Sequence, residues 1–163
     1  MVTKSRVWIE IDIKAIQYNF LRIAKTVKPA KIMAVLKANA YGLGIDPIAR
    51  ALIKAGAFRI GVAELKEAIQ IVNTLPVPIQ ILGSIMKYEI PDIVKAGIIC
   101  PITDYKTAKI ISLEACKQNK KVTCHLLIDT GMGRLGIPYM IALKEIKKIL
   151  TLPHIYFEGI YSH

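Results

Sequence analysis

Short apolar runs rich in β-branched residues alternate along the chain with segments whose apolar residues recur at helical spacing. Continuous apolar runs are typical of strands buried on both faces of a parallel sheet, and the helical period is typical of amphipathic helices. The pattern predicts strands at residues 6–11, 31–37, 58–62, 78–83, 98–102, 121–129 and 154–162. It predicts helices at residues 13–27, 45–56, 63–73, 87–97, 103–119 and 138–150.

A regular alternation of strand and helix with short loops indicates an α/β barrel or a doubly wound sheet. The first strand is not followed by G-x-G-x-x-G, so a dinucleotide-binding sheet has little support. Six strands follow Lys31, whereas a closed (β/α)8 barrel needs eight. We therefore expect residues 1–163 to form one domain, a truncated TIM-type (β/α)8 barrel of about six β/α units that stops at His163 before the barrel closes.

The formal net charge of +11 raises the question of a nucleic-acid partner. The lysines, however, are scattered along the sequence, mostly on the polar faces of predicted helices. No helix-turn-helix signal, zinc-finger spacing or RNA-binding aromatic motif accompanies them. We expect no nucleic-acid partner, and we note that the same positive field favours an anionic small ligand.

Three further features narrow the class of protein. No apolar run approaches the roughly 18 residues that span a membrane, and the N-terminus lacks the features of a signal peptide. Cys100, Cys116 and Cys124 form no C-x-x-C pair, so neither a metal site nor a disulfide framework is expected. We expect a cytoplasmic protein with no membrane partner.

In an α/β barrel, functional residues lie at the carboxyl ends of the strands. Lys37 stands at such a position, in the segment AVLKANAYGLG at residues 34–44. A lysine amine held at a barrel mouth can attack an aldehyde such as that of pyridoxal phosphate (PLP), whereas most strand-end lysines are solvated cations. The local sequence leaves both interpretations open, and Tyr41 taken alone is typical of a packing residue.

A second unusual segment, DTGMGRLG at residues 129–136, follows the predicted strand at 121–129. Its glycines permit positive φ and close backbone approach. Arg134 can present its planar fork of donors to a phenolate, carboxylate or phosphate, or it can pair with Asp129 inside a tight turn. Both interpretations stay open here. His163 follows the last predicted strand, whereas His125 and His154 are assigned no role.

Taken together and in this order, these segments resemble the N-terminal part of the alanine racemases, a PLP-dependent family. VWIEIDIKAIQYN (7–19) is similar to the family's opening segment, AVLKANAYGLG to its PLP-lysine motif and DTGMGRLG to its second signature. EGIYSH (158–163) resembles the strand that ends in the cofactor-facing histidine. The resemblance covers essentially the whole chain.

The resemblance implies a role for four residues. Lys37 would bind PLP covalently and act as one of two catalytic bases, and Tyr41 would help to hold the cofactor phosphate. Arg134 would hydrogen-bond the phenolic oxygen of PLP and lie near the substrate carboxylate. His163 would pack against the pyridine ring.

The resemblance also implies a reaction and an assembly. The family interconverts L-alanine and D-alanine, which supplies D-alanine for bacterial peptidoglycan, and its members are homodimers with an additional C-terminal β-domain. The opposite base is a tyrosine of that domain, so residues 1–163 alone are expected to be inactive.

Three positions depart from the family pattern. Asn39 and Leu43 stand where the family usually has Asp and His, at turn positions where mild effects are expected, and the larger departure is at Leu127. Leu127 stands where the family often has a lysine that orients the arginine, and leucine supplies neither charge nor hydrogen bond. Two alternatives therefore stay open. One is a different amino-acid racemase or a decarboxylase on the same PLP barrel, and the other is a non-catalytic PLP-binding protein.

Overall fold

The computed structural model describes residues 6–163 and confirms the alternation of strands and helices. The helices are α1 (Ile13–Thr26), α2 (Lys37–Tyr41), α3 (Ile45–Lys54), α4 (Leu65–Val72), α5 (Ile90–Ala96), α6 (Tyr105–Lys117) and α7 (Tyr139–Ile149), with a 3-10 helix at Lys87–Glu89. The strands are β1 (Met33–Val35), β2 (Arg59–Val62), β3 (Ile79–Ile81), β4 (Cys100–Ile102), β5 (Val122–Asp129), β6 (Ile137–Pro138) and β7 (Ile155–Ser162). No helix within residues 6–163 combines the length and the apolar character needed to cross a bilayer.

The strand predicted at residues 6–11 is wrong. Residues 6–12 contain no strand, and Val7, Trp8 and Ile9 are 80%, 69% and 73% exposed. An apolar run becomes a strand only when a neighbouring strand accepts and donates its backbone hydrogen bonds. Within residues 6–163 no strand pairs with this segment; Val7, Trp8 and Ile9 are exposed, and Ile11 packs partly against the core.

All the observed strand pairs are parallel. One run has the order β1-β2-β3, and the other has β5 between β4 and β7, with β6 beside the carboxyl end of β5. A bridge between Gln80 and Ile99 joins the two runs. All the carboxyl ends therefore lie along one edge, as the predicted βα alternation requires.

The sheet is strongly curved. Arg59 on β2 and Glu158 on β7 are in contact, with 2.6 Å between Nη2 and Oε2. Because β3, β4 and β5 separate these two strands, a flat sheet would hold them about 19 Å apart, at roughly 4.8 Å per strand. The contact requires the sheet to curl around an interior, and the helices cover its outer face.

The main hydrophobic core lies between the outer face of the sheet and the helices. Strand residues Ile60, Ile81 and Ile102 are fully buried there, as are Ala68 and Ile111 on the helices. Burying one isoleucine contributes about 1.5–3 kcal/mol, so this layer is the principal source of stability. The inner face of the sheet is left to carry the polar residues.

Candidate functional site

A cleft of about 440 Å³ opens at the carboxyl edge of the sheet. Its walls include Val35, Leu82, Ile128 and Leu135, which are apolar. The four residues singled out in the sequence all line this cleft: Lys37, Tyr41, Arg134 and His163. They come from three segments far apart in the chain, and the parallel topology brings them to one mouth.

The short element α2, which begins at Lys37, is a left-handed turn that the sequence pattern did not predict. The φ angles of Ala38, Asn39, Ala40 and Tyr41 are 52°, 53°, 55° and 57°. L-residues in this conformation cost about 1–2 kcal/mol each, so consecutive ones are rare. Such strained backbone is typical of functional sites, where the surrounding structure holds it in place.

Two side chains hold this turn. The Glu67 carboxylate accepts hydrogen bonds from the backbone N–H of Ala38 and, at 2.8 Å, from that of Ala63. Asn39 Oδ1 accepts from the N–H of Ile45 at 2.9 Å and so caps the start of α3. Sequence analysis missed Glu67, and its position in the first turn of α4 is the only local signal that marks it as an anion near backbone donors.

Asp129 organises the glycine turn that carries Arg134. Its Oδ1 accepts from the N–H groups of Gly131 and Gly133 at 2.9 and 3.1 Å. The hydrogen bond from Gly131, followed by that from Gly133, lowers the pKa of the Asp129 carboxyl. Among residues 6–163, Arg134 forms no ion pair with Asp129 or any other carboxylate. The alternative in which these two residues pair is therefore wrong, and the Arg134 guanidinium is available to an anion in the cleft.

The glycine turn folds back tightly onto β5. Gly136 has a φ of 117°, and a Cβ atom there would lie 2.7 Å from the backbone nitrogen of Asp129. Only glycine permits this approach, which also lets Ile137 pair with Ile128. The close return of the chain fixes where Arg134 enters the cleft.

Tyr161 and Leu127 meet beneath the cleft. They are paired in register on β7 and β5, both line the cleft, and Leu127 is only 3% exposed. The Tyr161 hydroxyl is buried with no hydrogen-bond partner in the part of the chain that the structure describes. Burial raises the pKa of Tyr161 to about 12, so the phenol is neutral. The Leu127 side chain has no atom that can accept a hydrogen bond from the Tyr161 hydroxyl.

A group of four polar residues, the interior polar cluster, lies deeper in the curved sheet. It consists of Arg59, Gln80, His125 and Glu158, each on a different strand. Arg59 Nη1 donates to Gln80 Oε1 at 2.8 Å, and Arg59 Nη2 pairs with Glu158. His125 Nε2 lies 2.8 Å from Glu158 Oε2 and 3.0 Å from Arg59 Nη1. His125, which had no role in the sequence analysis, is thus a member of a partly buried ionic network.

The cleft has the chemistry of an anion-binding site. It combines an amine, a guanidinium, an imidazole and phenols with apolar walls, and its one carboxylate, Asp129, accepts hydrogen bonds from glycine N–H groups. Within residues 6–163, no group of three or more His, Cys, Asp or Glu side chains is placed to hold a metal ion. A planar aromatic ligand with acidic substituents fits this set of donors and walls.

The fold and the site together define a class: an α/β protein of parallel strands with a lysine-bearing cleft at their carboxyl ends. The chain belongs to the alanine racemase family, whose model "Alanine racemase, N-terminal domain" matches residues 11–163. The family depends on pyridoxal phosphate.

Individual relatives agree with this assignment. The chain is 40% identical to an alanine racemase from Desulforamulus reducens, covering 98% of this chain and 44% of that protein. An alanine racemase structure from Clostridium difficile 630 superposes with a TM-score of 0.92 at 30% identity, covering 98% of this chain and 43% of that one. One from Bartonella henselae, with covalently bound pyridoxal phosphate, gives a TM-score of 0.85 at 35% identity over 94% and 45% of the two chains. The chain thus spans less than half the length of these relatives.

Proposed function

We propose that this chain is the N-terminal part of a PLP-dependent alanine racemase, and that the complete protein interconverts L-alanine and D-alanine. The convergence of Lys37, Tyr41, Arg134 and His163 on one cleft, in a chain of this family, carries the proposal. The product D-alanine would serve bacterial peptidoglycan. We further propose that the curved sheet supplies six of the eight strands of a closed (β/α)8 barrel, which its parallel order and curvature support.

The cleft suits PLP, a planar aromatic aldehyde with a phosphate and a phenolic oxygen. Lys37 has the amine that would bind the aldehyde carbon, and Tyr41 would donate its hydroxyl proton to the phosphate. Arg134, which has no carboxylate partner among the described residues, would donate to the phenolic oxygen. His163 would pack on the ring, and the apolar walls would cover the remaining surface.

When bound, PLP supplies an electron sink for the negative charge that remains at the substrate Cα when its proton leaves. Lys37 would take or return that proton on its own side of the substrate. Arg134 would hold the substrate carboxylate and so keep the Cα–H bond pointed at Lys37. The walls of Val35, Leu82 and Leu135 would limit the access of water.

Inversion at Cα needs a second base on the opposite face. We infer that this base comes from outside residues 1–163, from the partner protomer of a homodimer. Residues 1–163 alone are therefore expected to be inactive. The placement of the second base in another protomer rests on the resemblance to the alanine racemases.

The test is substitution of Lys37 in the complete protein. Lys37→Ala should abolish racemisation and the visible absorbance of protein-bound PLP, and mass spectrometry after borohydride reduction should locate the label on Lys37 in the unaltered protein. Lys54→Ala, an exposed lysine on α3, is the control and should change neither. Racemisation that survives Lys37→Ala would refute the proposal.

The substrate needs its own measurement, because part of the pocket is proposed to lie outside these residues. Alanine, serine and lysine should be compared as substrates, with CO2 release monitored for decarboxylation. Turnover of alanine well above the others supports the proposal. PLP binding without turnover of any amino acid would instead favour the non-catalytic alternative.

A further inference from the structure

The parallel topology gathers lysines that are scattered in the sequence. Because the strands are parallel, the six helix-to-strand loops share the edge opposite the cleft. These loops contain no Asp or Glu, and the last helical turns before them contain one, Glu114. Every lysine in them, or in the last turn of the helix before them, is exposed: Lys25, Lys28, Lys31, Lys54, Lys95, Lys117, Lys120, Lys121, Lys147 and Lys148.

Helix dipoles explain only some of the lysines at this edge. Lysines in a last helical turn complement the negative end of the dipole, and acidic residues near helix starts do the reverse at the cleft edge. Lys28, Lys31, Lys120 and Lys121 lie beyond the helix ends, so the dipole gives no reason for them. They form two pairs, one before β1 and one before β5, and neither pair is accounted for by a helix dipole.

The density is highest where β4, β5 and β7 begin. We call the lysines there the basic patch: Lys95, Lys117, Lys120, Lys121, Lys147 and Lys148. Adjacent strands are about 4.8 Å apart, so their loops lie close together. Lys120 Nζ donates to the carbonyl of Lys95, and His154 Nδ1 lies 3.1 Å from the carbonyl of Lys120. Only Lys117 and Lys148 have a carboxylate partner among residues 6–163.

The side chains between these lysines indicate the kind of partner. Tyr156 is 51% exposed, and Lys121 Nζ lies 5.3 Å from its ring centroid. An exposed aromatic ring beside lysines offers a base a stacking surface while the ammonium groups meet phosphates. The neighbouring Asn119 and Thr151 are exposed hydrogen-bonding groups, and Leu150, 54% exposed, is a single apolar side chain beside them, whereas binding to an anionic membrane would favour a broader apolar face.

We propose that the basic patch binds the phosphate backbone of single-stranded nucleic acid without sequence preference. Lysine is a point charge without the bidentate fork that reads base edges, so contacts to phosphate are favoured over base recognition. This proposal is independent of the cleft and of PLP. It reverses the expectation drawn from the sequence, in which the lysines had no common location.

The test is fluorescence anisotropy of a labelled oligouridine with the complete protein and its variants. Affinity should fall steeply as salt rises from about 50 to about 200 mM, because bound counterions are released from the phosphates. The double variant Lys120→Glu with Lys121→Glu should weaken binding about tenfold or more at the lower salt. The matched control is Lys87→Glu with Lys106→Glu, two exposed lysines at the opposite edge, with the same change in net charge.

A localised site requires the control to keep most of the affinity. An equal loss in both double variants would overturn the proposal, since net charge alone would then explain binding. Absence of binding at low salt would also overturn it, as would binding to phosphatidylserine vesicles but not to the oligonucleotide. Circular dichroism checks the fold, and Lys95→Gln with Lys147→Gln, which introduces no repulsive charge, should reproduce the loss in smaller measure.

Discussion

The interior and the carboxyl edge of one curved sheet hold charged groups under opposite conditions. In the interior polar cluster, Arg59 is 4% exposed and its two terminal nitrogens contact Gln80, His125 and Glu158. At the cleft, Arg134 has no carboxylate partner among the described residues. A buried charge is tolerated when protein groups satisfy it, whereas an arginine left without one is available to a ligand.

The backbone conformation also differs between the interior polar cluster and the cleft. The interior polar cluster stands on regular strands, apart from a register shift beside His125 that makes Glu158 an extra residue on β7. The cleft stands on a left-handed turn after Lys37 and on the glycine turn before Arg134. The interior polar cluster thus has partners for most of its charged atoms, Arg59 Nε being without one among the described residues, whereas the cleft lies beside the strained left-handed residues 38–41. If this contrast is correct, substitutions in the interior polar cluster and at the cleft should change stability by different amounts.

The largest expected effect is at the cluster. Arg59→Met keeps most of the side-chain volume but leaves Gln80 without its partner and Glu158 with His125 alone, and we expect the free energy of unfolding to fall by about 3 kcal/mol. Urea unfolding followed by circular dichroism measures it. Arg50→Met is the matched control, because Arg50 forms an exposed pair with Asp46 and should change little. Equal effects at Arg59 and Arg50 would show that the cluster contributes no more than a surface ion pair.

A smaller effect is expected at the left-handed turn. Glu67→Ala removes the acceptor of the Ala38 and Ala63 N–H groups, and the free energy of unfolding should fall by about 1–2 kcal/mol. Hydrogen exchange at the Ala38 amide should accelerate more than exchange in the core strands. Glu64→Ala, one turn away and exposed, is the control and should leave the Ala38 amide unchanged. Unaltered exchange in Glu67→Ala would mean that other contacts hold the turn.

These two regions also mark what sequence could predict. Lys37, Arg134 and His163 could be placed at one mouth, because carboxyl ends of parallel strands share an edge and each motif is local. The pairs of the cluster could not, because Arg59 lies 66 residues from His125 and 99 from Glu158 and meets them only through the curvature of the sheet. The left-handed turn escaped prediction because Ala38 and Ala40 favour right-handed helix in isolation. The strand at 6–11 was wrongly predicted because an apolar pattern does not specify a pairing partner.

Substitution of Tyr161 tests the effect of removing a buried hydroxyl that has no hydrogen-bond partner. Its buried hydroxyl lies under the cleft without a partner in the described part of the chain, so Tyr161→Phe should raise the free energy of unfolding by about 1 kcal/mol. Tyr156→Phe removes a hydroxyl from a half-exposed ring and should have little effect. Both shifts are read from urea midpoints at constant slope. Destabilisation by Tyr161→Phe would instead indicate that the hydroxyl is satisfied in solution.

The smallest expected effect is the dependence of stability on acid at the cluster. The hydrogen bond to His125, and then the contact with Arg59, lower the pKa of Glu158 in the folded protein. A carboxyl with a depressed folded pKa stabilises the protein above its unfolded pKa of about 4.3, and it loses that contribution as the pH falls through the folded value. One such group gives a slope of at most about 1.4 kcal/mol per pH unit, and solvent screening reduces it because a third of the Glu158 side chain is exposed.

The free energy of unfolding, measured in urea between about pH 3 and 6, should therefore change less with pH for Glu158→Gln than for the unaltered chain. Glu145→Gln, which removes the exposed pair with Lys148, should keep the slope. Parallel curves for all three proteins would remove Glu158 from the acid response and weaken the contrast between a satisfied interior and an open cleft.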